Sequence, residues 1–265
     1  MYRTYMIDLE KWLNNPRRKP LLVSGARQVG KSYLIKDLFA EKYFKDKYIY
    51  IDCAVEDEFT KYCENNTNAE SILNYLSLDK NMKIDENTLL IFDEVQECLP
   101  IITLLKYFCP KKEKYRLLLL TQWLELNREN NKRGVKEDKK FLFPVGKINQ
   151  LPIYPMNFDE FIINKNKLLY EEICKSYIEK RPLEDALHEK AMDLFHSYML
   201  IGGMSEVVDT YLDTNSYIDA ISVLKNLCDN YLSELFDANE KSAYIFTPRN
   251  YERYNQMNAC KTFII

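Results

Sequence analysis

The sequence predicts an α/β fold, a parallel sheet with helices on both faces, followed by a helical region. Short runs that are apolar throughout alternate with stretches of helical period between Pro20 and about Pro155. Strands without a polar face belong to parallel sheets covered on both sides. After Pro155 the strand signal stops and only helical periods remain. At 265 residues the chain is long enough for one or two cores.

The strands, in order, are "LLVSG" (21–25), "YIYID" (48–52), "TLLIFDE" (88–94), "YRLLLLT" (115–121) and a weaker fifth, "KINQLPIY" (147–154). Amphipathic stretches separate them: "KSYLIKDLFAEKY" (31–43), "AESILNYLSL" (69–78) and "PIITLLKYF" (100–108). Beyond Met156, "FDEFIIN", "KLLYEEICKSYI", "HEKAMDLFHSYML" and "YIDAISVLKNLCDNYLSELF" all have helical spacing. The expected organisation is an α/β core at 1–156, a helical region at 157–238 and a tail at 239–265 with neither a clear period nor a cap. Residues 127–140, dense in charge, are expected to form a solvated loop.

Composition narrows the function classes. A hydrophobic content of 46% with 29% charged residues is that of an ordinary soluble protein. The net charge of -3 gives no general attraction to nucleic acid, so such a partner would need a local patch. "PRRKP" (16–20) is one candidate, to be weighed against a merely solvated cluster. Seven cysteines lack metal-ligand spacing and there are only two histidines, His188 and His196. That pattern argues against zinc and for reduced, mostly buried thiols in the cytoplasm. "MYRTYMIDLEKWL" carries charges where a signal peptide needs an apolar segment. No apolar run approaches the roughly 18–20 residues of a membrane span, so a cytoplasmic protein with no membrane partner is expected.

The chemistry-bearing string is "GARQVGKS", Gly25 to Ser32, which fits G-x-x-x-x-G-K-[ST] between a strand and a helix. Gly25 and Gly30 allow the tight turn that offers backbone N–H groups of Ala26, Arg27, Gln28 and Val29 to phosphate oxygens. Lys31 reaches the β- and γ-phosphates, and the Ser32 hydroxyl ligates Mg²⁺. The following helix adds the positive end of its dipole. Arg27, inside the loop, is expected to face solvent.

A second string, "LLIFDEVQ" (89–96), ends an apolar strand in adjacent carboxylates. Asp93 is placed to bind Mg²⁺ through its water shell, and Glu94 to polarise an attacking water. The competing role for this pair is to cap the next helix. Gln96 is expected to be a solvated helix residue, with contact to the γ-phosphate or to a neighbouring subunit as the alternative. Tyr48, Tyr50, Phe92, Tyr154 and Phe158 are expected in core or interdomain packing, and the two histidines at the surface or in the core.

"SGARQVGKSYL", "LLIFDEVQECLP", "FPVGKINQLPIYPMNFDEFI" and "YMLIGGMSEVV" together resemble the bacterial and archaeal AAA-type P-loop ATPases that carry a C-terminal domain of unknown function. The resemblance spans about residues 1 to 235. It implies a P-loop NTPase sheet with an additional strand, ATP and Mg²⁺ as cofactors, and hydrolysis served by Lys31 and Glu94, with Ser32 and Asp93 on the metal. Fast turnover usually also needs an arginine from a neighbouring subunit, and a homo-oligomer is kept open.

Two departures stand against the family pattern. The fourth strand ends "TQWLEL", with Thr121, Gln122 and Trp123 where a small Gly-Ser pair is usual. The resemblance fades after "NYLSELF" (230–236), so the family's second domain is expected to be absent. Three functions are carried forward: an ATPase driving conformational change in an unknown protein partner, with DNA association kept open; a nucleotide-binding remnant with poor turnover; and a small-molecule P-loop kinase using Arg128 and Arg133.

Overall fold

The structure, a computed structural model, describes residues 1–66, 68–98, 100–102, 116–122 and 146–238. The expectations for Trp123, for the 127–140 loop with Arg128 and Arg133, for most of the 100–108 helix and for the 239–265 tail lie outside these residues. The chain forms two compact units, Arg3–Pro155 and the chain from Met156 on together with Met1–Tyr2.

The first unit opens with helix α1 (Tyr5–Asn14) and strand β1 (Leu21–Gly25). The P-loop follows, then helix α2, which is π-helical over Tyr33–Ala40 and closes with an α-turn at Glu41–Tyr43. Its buried residues are Leu34, Ile35, Phe39 and Ala40. They pair at a spacing of five, which an i→i+5 helix stacks on one side, so the wider turn suits this apolar pattern. Strand β2 (Tyr48–Asp52), helices α3 (Asp57–Asn65) and α4 (Ala69–Asp79), and strand β3 (Leu89–Asp93) come next, then β4 (Arg116–Gln122) and β5 (Asn149–Ile153).

The strands pair in the order β2-β3-β4-β1-β5, all parallel. Strand β4 therefore stands between β1 and β3, the additional-strand arrangement the sequence resemblance implied. Every residue of β3 is buried, as an apolar run covered on both faces requires. β5 is an edge strand, and this explains how it tolerates Pro152.

One face of the sheet contributes Leu22, Ile51, Leu90, Phe92 and Leu119 to a core closed by Phe59 of α3 and Leu76 of α4. Phe59 stacks on Phe92 with ring centroids 6.0 Å apart. Cys53, Cys63 and Cys98 lie in the same core. Hydrogen bonding to the Cys98 thiol, together with burial, pushes the thiols of Cys53 and Cys63 above the ordinary range. Cys174 is half-buried and Cys228 exposed, so the burial expected of the cysteines holds for three of the five described.

In the second unit, α5 (Phe158–Glu179), α6 (Asp185–Ile201), α7 (Ser205–Thr214) and α8 (Tyr217–Ala238) pack around Phe161, Val207, Val208 and Tyr211. A capping box starts α5: the Asn157 side chain accepts from Glu160 N at 2.8 Å, and Asn157 N donates to Glu160 Oε2 at 3.3 Å. The Gly203 carbonyl accepts from Met156 N at 2.7 Å. A Cβ on Gly203 would stand 2.0 Å from the Met156 carbonyl oxygen, so the turn admits only glycine. Phe158 sits among Phe161, Phe195 and Tyr198, as expected of a packing residue. Tyr154 of the first unit is 63% exposed, contrary to its expected burial, because the edge strand has already ended there. Both histidines are exposed. Among the described residues no helix is long and apolar enough to cross a membrane.

Candidate phosphate and metal site

All five strands end on one edge of the sheet, and the chemistry-bearing residues gather there. The registers Gly25↔Gln122 and Gly25↔Ile153 set the start of the P-loop between the ends of β4 and β5. Asp52↔Asp93 sets the ends of β2 and β3 side by side.

The loop's conformation corrects one expectation about its glycines. Gly30 takes a positive φ of 84°, as does Gln28 at 59°, so the turn lies at positions 28 and 30. Gly25 is needed for closeness instead: a Cβ there would meet the Ile153 carbonyl oxygen at 2.4 Å. Val29 is fully buried, while Ala26, Arg27 and Gln28 are exposed. Lys31 is only 6% exposed, and its Nζ donates to the carbonyls of Gly25 at 3.2 Å and Ala26 at 2.8 Å. The ammonium thus lies folded back along the inner rim of its own loop.

Arg3, from the segment before α1, braces this loop from beneath. It is 2% exposed, and its guanidinium donates to the Val29 carbonyl at 2.9 Å and the Tyr154 carbonyl at 2.7 Å. A buried cation that donates to two backbone oxygens ties the crest of the P-loop to the end of β5. Sequence reasoning missed it, because its partners lie 26 and 151 residues away.

The Ser32 hydroxyl donates to Asp93 Oδ2 at 2.6 Å. The phenol of Tyr50 donates to the same oxygen, also at 2.6 Å, and Glu94 N donates to Asp93 Oδ1 at 2.9 Å. Asp93 is buried, with 3% exposure. Serine and carboxylate oxygens in direct contact are a hard, all-oxygen donor set, which fits Mg²⁺. The loop geometry fits a phosphate chain: Gln28 and Gly30 turn the backbone through positive φ, and the Lys31 ammonium lies on the cradle's rim. Among the described residues no cluster of three or more Cys, His, Asp or Glu side chains forms a dedicated metal cage.

Glu94 takes a left-handed backbone, φ 47° and ψ 46°, ahead of the short 3₁₀ turn Val95–Glu97. It makes no side-chain cap bond to that turn, so the capping role weighed for it from sequence is not the one it adopts. Its carboxylate instead accepts from Gln122 Nε2, at 3.1 Å on Oε1 and 3.2 Å on Oε2, and from Gln96 Nε2. Gln96 in turn accepts from the Thr121 hydroxyl at 3.0 Å. Gln96 is 3% exposed. The expectation of a solvated helix residue is corrected, because the segment after β3 folds inward as a 3₁₀ turn and not as an outward-facing α-helix.

A family model described as an AAA domain matches residues 17–162. No curated protein matches the sequence. Among solved structures, the chain is similar to the Walker-type ATPase PABY2304 of Pyrococcus abyssi, with a TM-score of 0.50 at 16% identity, over 89% of this chain and 75% of that one. It is also similar to AMPPCP-bound DnaA from Aquifex aeolicus, with a TM-score of 0.37 at 16% identity, over 85% of this chain and 60% of that one. A DNA replication initiation factor gives 0.35 at 18% identity, over 89% of this chain and 63% of that one.

Proposed function

This chain belongs to the AAA-domain family, an ATP-binding P-loop ATPase, and from that premise we propose that it hydrolyses Mg²⁺·ATP slowly and uses the cycle to change the conformation of a protein partner. The single observation that carries the reading is the Ser32–Asp93 contact at 2.6 Å beside a P-loop whose lysine faces its own rim.

Each residue has a role in this cycle. Lys31 leaves the carbonyls of Gly25 and Ala26 for the β- and γ-phosphates, exchanging neutral acceptors for anionic ones. Ser32 and Asp93 would hold Mg²⁺, the serine through its hydroxyl and the aspartate through its carboxylate. When bound, the cation would supply neutralisation of phosphate charge. Glu94 takes a proton from the attacking water, for which one of its amide partners must first let go. With both carboxylate oxygens engaged by Gln96 and Gln122, Glu94 is held away from an attacking water at rest, and this supports a basal turnover below about 1 s⁻¹.

The test is a nucleotide-binding titration set beside phosphate release from the purified chain, with and without small-molecule phosphate acceptors. Mg²⁺-dependent binding with slow release to water supports the ATPase. Transfer to an acceptor would replace it by a kinase, and binding with no release at all by a nucleotide-binding remnant.

A further inference from the structure

The Asp93 carboxylate accepts three hydrogen bonds, and the phosphate site accounts for only two of them. Ser32 is the neighbouring metal ligand, and Glu94 N is simply the next amide in the chain. The third donor, Tyr50, comes from the middle of β2. Tyr50 lies opposite Ile91 in the β2–β3 register, so Asp93 is its diagonal neighbour on the same face of the sheet. A tyrosine is long enough to cross that diagonal, and its phenol stops 2.6 Å from Asp93 Oδ2. The ring is held from above as well: Lys36 Nζ lies 4.9 Å from its centroid. Lys36 follows Ser32 by four residues on the helix that leaves the P-loop. Tyr50 is therefore braced by the element that carries one oxygen of the metal site while it holds the other.

We infer that Tyr50 is a positioning residue for Mg²⁺: its hydroxyl fixes Asp93 Oδ2 in place and leaves Ser32 free to turn toward the cation. The inference rests on the Mg²⁺·ATP reading above. Two effects act in the same direction. At rest, Oδ2 shares itself between two hydroxyls, so its hold on Ser32 is weaker than it would be with Ser32 alone. Once Ser32 has turned away, Tyr50 is the one side-chain donor left on Oδ2 among those described, and it keeps the carboxylate aimed at the metal's water shell. A phenol keeps its proton at neutral pH, so Tyr50 stays a donor there. It takes no part in the proton transfer, because Glu94 and not Asp93 faces that step.

The test is the magnesium dependence of nucleotide binding in the Tyr50→Phe variant, read with a fluorescent ATP analogue titrated in EDTA and across a series of MgCl₂ concentrations. The half-saturating Mg²⁺ concentration should rise roughly tenfold, the scale of one charge-assisted hydrogen bond partly offset by water. Affinity in EDTA should stay within about twofold. A half-saturating Mg²⁺ concentration unchanged in a parent that does depend on magnesium overturns this inference alone. An equal loss of affinity in EDTA also overturns it, since that would make Tyr50 a general support of the loop. A parent with no magnesium dependence overturns the Mg²⁺·ATP reading and this inference with it. Should Tyr50→Phe fail to fold, Lys36→Met carries the test: freeing the ring from above should raise the half-saturating Mg²⁺ concentration about twofold, and no rise would overturn the inference.

Discussion

Gln122 Nε2 sits almost midway between the two oxygens of Glu94, 3.1 Å from one and 3.2 Å from the other. One amide thus spans the carboxylate that would activate water, from the strand end that lies beside Gly25. Replacing Gln122 by Leu removes one of the two amides that hold Glu94 at rest, so the carboxylate meets an attacking water more readily. Steady-state phosphate release should rise about 10-fold, with nucleotide Kd within about twofold. Slower release in the variant would mean that the amide serves the reaction itself.

Lys31→Ala removes the one ammonium held on the rim of the loop. ATP affinity should drop by about an order of magnitude or more, measured by titration at fixed Mg²⁺. The parent's affinity retained in this variant would disprove the phosphate cradle.

Glu94→Gln keeps the shape that Gln96 and Gln122 enclose while removing the base. ATP should bind as in the parent, and single-turnover hydrolysis should slow roughly 10²-fold or more. Unaltered single-turnover rates would leave the water-activating group to be sought elsewhere.

Arg3→Met leaves the carbonyls of Val29 and Tyr154 without the donor they now share. Taking the charged donor from the buried Val29 carbonyl costs about 1–3 kcal/mol, while the carbonyl of Tyr154, on a residue 63% exposed, is reached by water and adds little. Tm should fall by roughly 2–12 °C, from the usual relation for domains of 150–250 residues. Nucleotide should also bind more weakly, since the crest of the P-loop loses its anchor. A calorimetric scan superimposable on the parent's would contradict the bracing role.

Tyr50 also carries a pH signature. Its phenol is raised by burial and by Asp93, so its contribution to stability is complete below the unfolded value of about 10 and fades as pH rises beyond it. Below pH 10 the parent should be more stable than Tyr50→Phe by about 1 kcal/mol, a charge-assisted bond discounted for a half-buried site. In denaturant titrations that difference should shrink steadily as pH is raised past about 10. A constant difference across that range would show that the phenol's proton is not what stabilises the fold.

The strands were legible because their chemistry is local. "LLVSG" and the apolar run to Asp93 are observed at Leu21–Gly25 and Leu89–Asp93, as parallel strands covered on both faces must read, and "YIYID" at Tyr48–Asp52, an edge strand whose alternate residues are only half-buried. The P-loop was legible for the same reason, since its residues are contiguous. Arg3, Tyr50 and the Gln96–Glu94–Gln122 network were not, because each depends on strand order and register. Nothing in "YIYID" distinguishes a packing tyrosine from one that crosses to Asp93; only the pairing Asp52↔Asp93 does. The π-helical widening at Tyr33–Ala40 was hidden by the opposite cause. Its apolar residues satisfy a 3.6-residue period loosely enough to pass as an ordinary helix.

The brace beneath the P-loop also sets a clock on synthesis. Arg3 leaves the ribosome ahead of the loop it braces, yet the carbonyl of Tyr154 that it also holds is translated 151 residues later. At typical elongation rates that interval is roughly 8 to 30 s. Throughout it the Gly25–Ser32 loop exists as nascent chain without its anchor, and β5, the strand that flanks it, has not yet been made. The brace on the P-loop can therefore close only once the chain has grown past residue 154. It is a long-range contact made late in the domain's synthesis, well after every residue of the Gly25–Ser32 motif has been added.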